Sequence, residues 1–179
     1  TESTTDLAKL LTSEGNNAVV ISTRHDSHAN LVIQALREGK HVFVEKPLCL
    51  TRDELRDIQR AYDNAPGSPI VMVGFNRRFA PQVVKMKQLL GQVQAPKSIL
   101  ITVNAGYLPA DHWTQDSKIG GGRIIGEGCH FVDLALHLAG APVVSVQANA
   151  MGRAPGVETC EDKATILMQF ADGSTATIL

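Results

Sequence analysis

Aromatic residues make up only 4% of this 179-residue chain: one Trp, two Tyr and five Phe. Single-stranded nucleic acid is held by basic grooves interleaved with stacking aromatics, and a chain of net charge −1 has neither in quantity. Nucleic acid is therefore excluded as an expected partner. Cysteine is also scarce, with Cys49, Cys129 and Cys160 odd in number and far apart. That argues against a disulfide framework and for a reducing compartment, so a cytoplasmic location is expected. No apolar run approaches the roughly 18 to 20 residues of a membrane span, and residues 1–6 are polar where a signal segment would be greasy. A membrane partner is not expected. The chain also lacks an initial Met and a Gly-x-Gly-x-x-Gly phosphate loop after an N-terminal strand, so truncation at both ends is expected.

What is present is a globular composition, 44% hydrophobic and 20% charged. Residues 3–94 alternate helical periodicity with short β-branched runs, the pattern of α/β architecture. Strands are expected at 18–21, 41–44 and 70–75. Helices are expected at 6–11, with Ser3 and Asp6 at capping-box spacing, at 28–37, and at 51–61 behind a Thr51/Glu54 capping box. Apart from His41 the strands are apolar throughout, which predicts a parallel sheet buried on both faces. A helix at 83–90 follows, and from residue 98 the character changes. Polar and apolar positions alternate as in a strand with one buried face. A mainly antiparallel sheet is expected from strands at 98–103, 143–148, 164–170 and 175–179, with Asp172-Gly173 as a two-residue hairpin turn and a helix running to Leu138.

In open parallel sheets, ligands bind beyond the carboxyl ends of the strands. Those ends read Ser22-Thr23-Arg24-His25, Glu45-Lys46-Pro47 and Asn76-Arg77-Arg78, a rim suited to a polar small molecule and equally readable as capped loops. An ammonium such as that of Lys46 beside a proline-stiffened turn can polarise a carbonyl oxygen or hold a hydroxyl; a surface salt bridge to Glu45 is the alternative. A second constellation follows the glycines at 120–122. At helical spacing Glu127, His130 and His137 share a stripe, with Asp133 close by. A histidine there can take a proton from an alcohol. It can equally be a satisfied core residue, or the stripe can bind metal together with Cys129 or the His25/His28 pair, although the spacing is not that of a zinc motif.

These segments resemble the Gfo/Idh/MocA oxidoreductases. The resemblance is carried by residues 19–28 (VVISTRHDSH), 35–50 (ALREGKHVFVEKPLCL, with the Glu-Lys-Pro motif), 74–81 (GFNRRFAP) and 120–133 (GGGRIIGEGCHFVD). It implies the C-terminal part of a Rossmann NAD(P)-binding domain over residues 1–78 and part of an α/β substrate domain over 79–179, with the substrate between them. The implied cofactor is NAD or NADP, and the implied substrate a polyhydroxylated small molecule, a sugar, sugar nucleotide or cyclitol. By resemblance Lys46 contacts the nicotinamide and the reacting oxygen, and His130 exchanges the proton. Ser22, Thr23, Arg24, His28, Glu45, Pro47 and Asn76 line the dinucleotide, and Arg77, Trp113, Arg123 and Asp133 lie on the substrate side. Assembly into a homo-oligomer through the second-domain sheet is expected. The chain departs from the family pattern at Gly126, where many members carry aspartate four residues before the histidine. Glu127, about 100° round the helix, is the nearest carboxylate and a third catalytic candidate. A non-catalytic, oligomerising module is the alternative that Gly126 favours.

Overall fold

Residues whose side chains branch at Cβ or carry long apolar groups fall into the strands, and in the first half of the chain strands alternate with helices. The computed structural model describes residues 3–151 and 162–179, so Cys160 lies outside the described residues. It divides into two units, residues 1–74 with 118–120 and residues 75–117 with 121–179.

The first unit runs α1 (Leu7–Thr12), β1 (Ala18–Ile21), α2 (His25–Arg37), β2 (His41–Val44), α3 (Arg52–Asp63) and β3 (Val71–Val73). The three strands are parallel, in the order β1-β2-β3. Right-handed crossovers that step in one direction across a sheet place both connecting helices on one face. On that face Ile21, Val42 and Val44 meet Val32, Leu36 and Ile58, each buried side chain contributing about 1.5–3 kcal/mol. The opposite face is not covered: Val20 is 72% exposed and Met72 46%. Burial on both faces is therefore corrected to burial on one, because α2 and α3 lie on the same side. The helix ends follow local chemistry. Thr51 and Glu54 form the expected capping box on α3, whereas α1 is capped by Asp6, whose carboxylate accepts from Lys9 N–H at 3.1 Å, and not by a Ser3/Asp6 pair. α2 starts three residues earlier than its apolar periodicity indicates, with Asp26 in its first turn where the helix dipole favours an acid.

The second unit opens on a 3-10 turn (Asn76–Phe79) and continues through α4 (Pro81–Leu90), β4 (Ser98–Ile101) and a 3-10 turn (Trp113–Gln115). A π-helical turn (Ile124–Gly128) then runs directly into α5 (Cys129–Ala139), followed by β5 (Val143–Ala150), β6 (Ala164–Phe170) and β7 (Thr175–Ile178). Gly140, at φ 74°, ends α5 in the left-handed conformation that favours glycine. The sheet order is β4-β7-β6-β5. β6 is antiparallel to both neighbours, but β4 runs parallel to β7, so the sheet is mixed. Alternation reports one buried face and is silent on strand direction. That face carries Met168, Phe170, Ala176 and Ile178 against Ala135 and Ala139 of α5. The β6–β7 connection is longer than the expected two-residue turn: Phe170 N–H donates to Ser174 O at 2.9 Å, and the Asp172 carboxylate accepts from both the N–H and the hydroxyl of Ser174.

Candidate functional site

In the first unit the parallel order brings the carboxyl ends of the strands to one edge. β1 leads to Ser22, Thr23 and Arg24, all exposed, while β2 leads to Glu45 and Lys46, half-buried, and Pro47, buried behind a cis Lys46-Pro47 bond. His28 is fully buried, and its Nδ1 and Nε2 meet the carbonyl oxygens of Pro47 at 2.8 Å and Thr23 at 3.0 Å. Its ring thus ties the loops after β1 and β2 together. The Thr23 and Ser27 hydroxyls share a hydrogen bond, and Ser27 Oγ donates to Arg24 O at 2.7 Å, so this loop is fixed by its own side chains. Gly74, just after β3, lies against the Glu45 carboxylate so closely that a Cβ there would come within 3.0 Å of Oε2. Residues 118–120 also belong to this unit: Asp26 N–H donates to Ile119 O at 3.1 Å and His25 Nδ1 lies 2.9 Å from Gly120 O. Sequence reasoning missed His25 in this role, since no local pattern signals the return of the chain at 118–120.

In the second unit Asn76 and Arg77 are exposed on the opening 3-10 turn, and the Arg77 guanidinium sits 4.5 Å from the centroid of Phe131. His130, on α5, is buried at 6% exposure with its ring edge-on to Phe75. Asp133 is gripped by both Nε and Nη2 of Arg78, a bidentate charge-assisted pair. Its carboxylate is thereby paired within the unit. Arg78, passed over beside Arg77 in the Asn-Arg-Arg-Phe segment, is the partner that sequence reasoning missed. The same cluster acts on His137, which burial and then the charges of Arg78 and Lys87 hold below the usual imidazole range, against the pull of Asp133.

Glu127 belongs to a different surface. With Arg123 and Phe131 it lines an open cavity of about 840 Å³ formed within this unit by the 103–107 segment, the helical start and the ends of β5 and β6. His130 does not line it, and His130 and His137 share α5. Glu127 lies on the π-helical turn, which is wider than an α-helical one, and His130 on α5. Arg123 makes its contacts within the same unit. Its Nη1 and Nη2 donate to Gly106 O at 2.7 Å and Ala105 O at 3.2 Å, and Nη1 lies 3.6 Å from Asp162 Oδ2. Trp113 is half-buried beside His112, ring centroids 6.0 Å apart. Among the described residues no group of three or more His, Cys, Asp or Glu side chains is arranged to hold a metal ion.

Asp162 is the acidic member that sequence reasoning passed over. Burial pushes its carboxyl up, but the hydrogen bond and charge of Lys163 and the charge of Arg123 outweigh this and hold it below the usual carboxylate range. A folded-state value below the unfolded one contributes stability that is present above about pH 4 and is lost as pH falls through the folded value. Asp162→Asn is therefore expected to be less stable than the native chain at pH 7, with the gap closing between about pH 4 and pH 2. Urea unfolding at a series of pH values measures the gap; one of constant size down to pH 2 contradicts the assignment.

Comparison with known proteins agrees with this architecture. Residues 1–75 match the family model described as "Oxidoreductase family, NAD-binding Rossmann fold", and residues 84–179 match "GFO/IDH/MocA C-terminal domain". Inositol 2-dehydrogenase 2 of Saccharopolyspora erythraea is 33% identical over 140 residues, 76% of this chain and 39% of that protein. Inositol 2-dehydrogenase of Rhizobium meliloti is 31% identical over 167 residues, 90% of this chain and 49% of its own length. The crystal structure of an oxidoreductase domain protein from Kribbella flavida superposes with a TM-score of 0.83 at 28% identity, covering 97% of this chain and 50% of that one. The chain spans half or less of the length of these relatives. With the second model alone covering residues 84–179, and the parallel sheet, the mixed sheet and the Glu-Lys-Pro segment all in place, the chain belongs to the Gfo/Idh/MocA oxidoreductase family.

Proposed function

We propose that this chain serves an NAD(P)-dependent oxidoreductase that moves a hydride between a nicotinamide and a carbinol carbon of a polyhydroxylated small molecule. The observation that carries the reading is the placement of Lys46: its ammonium follows the central strand of a parallel sheet, between the half-buried Glu45 and the buried Pro47. The family supports it, as do two relatives named as inositol dehydrogenases. On this reading residues 1–78 form part of the nucleotide-binding domain and residues 79–179 part of the substrate domain.

The residues present fit a dinucleotide in part. The carboxyl edge offers hydroxyls from Ser22 and Thr23, the Arg24 guanidinium and the Glu45 carboxylate, and the missing Cβ of Gly74 leaves that carboxylate room to lie at the edge. Asn76 adds an exposed amide on the following turn. The described residues hold no Gly-rich phosphate loop, so the fit is to the nicotinamide side. When bound, the nicotinamide supplies the hydride acceptor or donor. Lys46 holds the reacting oxygen and stabilises its negative charge, and His130 takes the hydroxyl proton in oxidation and returns it in reduction. Glu127, which lines the cavity, is the third catalytic candidate, with Arg77, Trp113 and Asp133 as substrate-side candidates. A second copy is the proposed protein partner. The mixed sheet presents Leu100, Thr177, Leu167 and Gln147 in register on the face away from α5.

Titrating NADH and NADPH into the natural protein that carries these residues, by calorimetry and nicotinamide fluorescence, is expected to show micromolar binding of at least one. Absence of binding by either overturns the proposed function.

A further inference from the structure

Most of the wall of the second-unit cavity is held by helix and strand packing, but the turn at 104–107 is not. β4 ends at Ile101, and after Val103, whose N–H donates to Leu179 O at 2.8 Å, the chain leaves the sheet. The turn is closed locally by Gly106 N–H on Asn104 Oδ1 at 3.4 Å, with Gly106 in the left-handed region at φ 74°. Ala105 and Gly106 lie beyond the strand on an exposed turn, where no ladder holds their carbonyls. Arg123 supplies both donors, at 3.2 and 2.7 Å. Its own charge is nearly buried, the side chain 11% exposed, and is met by Asp162, 10% exposed, at 3.6 Å. One guanidinium thus joins three segments distant in sequence: the turn after β4, the residue before the π-helical turn, and the residue two before β6. All three border the cavity.

We propose that Arg123 and Asp162 are a positioning pair. They hold the 104–107 turn as one wall of the cavity, so that substrate fit is set through the pair and not by contact with it. The identity of the substrate rests on the proposed function; the tie between pair and turn does not. The planar fork of arginine reaches two carbonyls and a carboxylate together, whereas a lysine ammonium keeps the charge but loses the fork. Arg123→Lys therefore separates a positioning role from a bare ion pair.

The test compares native protein, Arg123→Lys and Gly106→Ala. At position 106 an added Cβ meets open space, but the backbone conformation is strained for any side chain, so this variant disturbs the turn with the pair left in place. Amide hydrogen exchange at 104–107 is expected to speed up at least tenfold in both variants, with β6 and β7 protected as in the native protein. The KM for a polyol such as inositol is expected to rise about tenfold in both, with kcat and cofactor Kd within twofold. Native exchange rates at 104–107 in Arg123→Lys overturn the proposal, and so does faster exchange with an unchanged KM. If the native protein binds cofactor but turns over no polyol, the substrate reading fails, and the exchange rates alone decide whether the pair holds the turn.

Discussion

Lys46→Ala is expected to lower turnover of a polyhydroxylated substrate by about 10²- to 10⁴-fold, the range over which a positioned acid–base group acts. The size follows from where the charge sits. A half-buried ammonium at the carboxyl edge of a parallel sheet is less screened than one in water, so its attraction for an oxygen gaining negative charge is larger than a surface lysine gives. Lys46 is half-buried after the central strand, and Pro47 behind it is buried. The loop therefore cannot swing the charge elsewhere without uncovering apolar surface. Lys46→Arg is expected to fail nearly as badly, because a planar fork does not fit the place of a compact ammonium. The check is kcat at saturating substrate, with cofactor Kd measured on the same samples. Turnover within threefold of native in the alanine variant removes Lys46 from the chemistry.

The largest effect on stability is expected at His28. Its ring is fully buried and faces two backbone carbonyls, from the loops after β1 and β2. Alanine there leaves a cavity in place of the ring and removes the donor from a buried carbonyl, for an expected loss of about 2–4 kcal/mol in urea unfolding. A loss below about 1 kcal/mol would falsify the bridging role. The variant also decides how His28 bears on cofactor binding. If it acts by tying Thr23 to Pro47, cofactor affinity falls together with stability, and a variant that keeps native stability while losing affinity points back to direct contact.

Parts of this arrangement were legible in advance, and the reasons are physical. β1, β2 and the α3 cap follow from contiguous β-branched runs and a Thr/Glu pair, signals contained within a few residues. Lys46 was singled out because ligands gather at the carboxyl ends of parallel strands, a rule that needs only the strand boundary. The π-helical turn is another matter. A uniform 3.6-residue period puts Glu127 and His130 on one stripe, and nothing in the Gly-Glu-Gly-Cys-His run announces that the period changes there. The three groups that Arg123 binds lie at 105, 106 and 162, out of reach of any local pattern. The parallel pairing of β4 with β7 was hidden for the same reason.

The contact between Gly74 and Glu45 means that the charged rim can be moved without altering any charge. A single methyl at position 74 first meets the tip of a flexible side chain, which can move aside, so the cost to the fold is small. The displaced group is a carboxylate next in sequence to Lys46. Size at residue 74 is therefore a steric dial on the electrostatics of the lysine, and evolution or design could retune the rim by one carbon atom at a site that carries no functional group of its own.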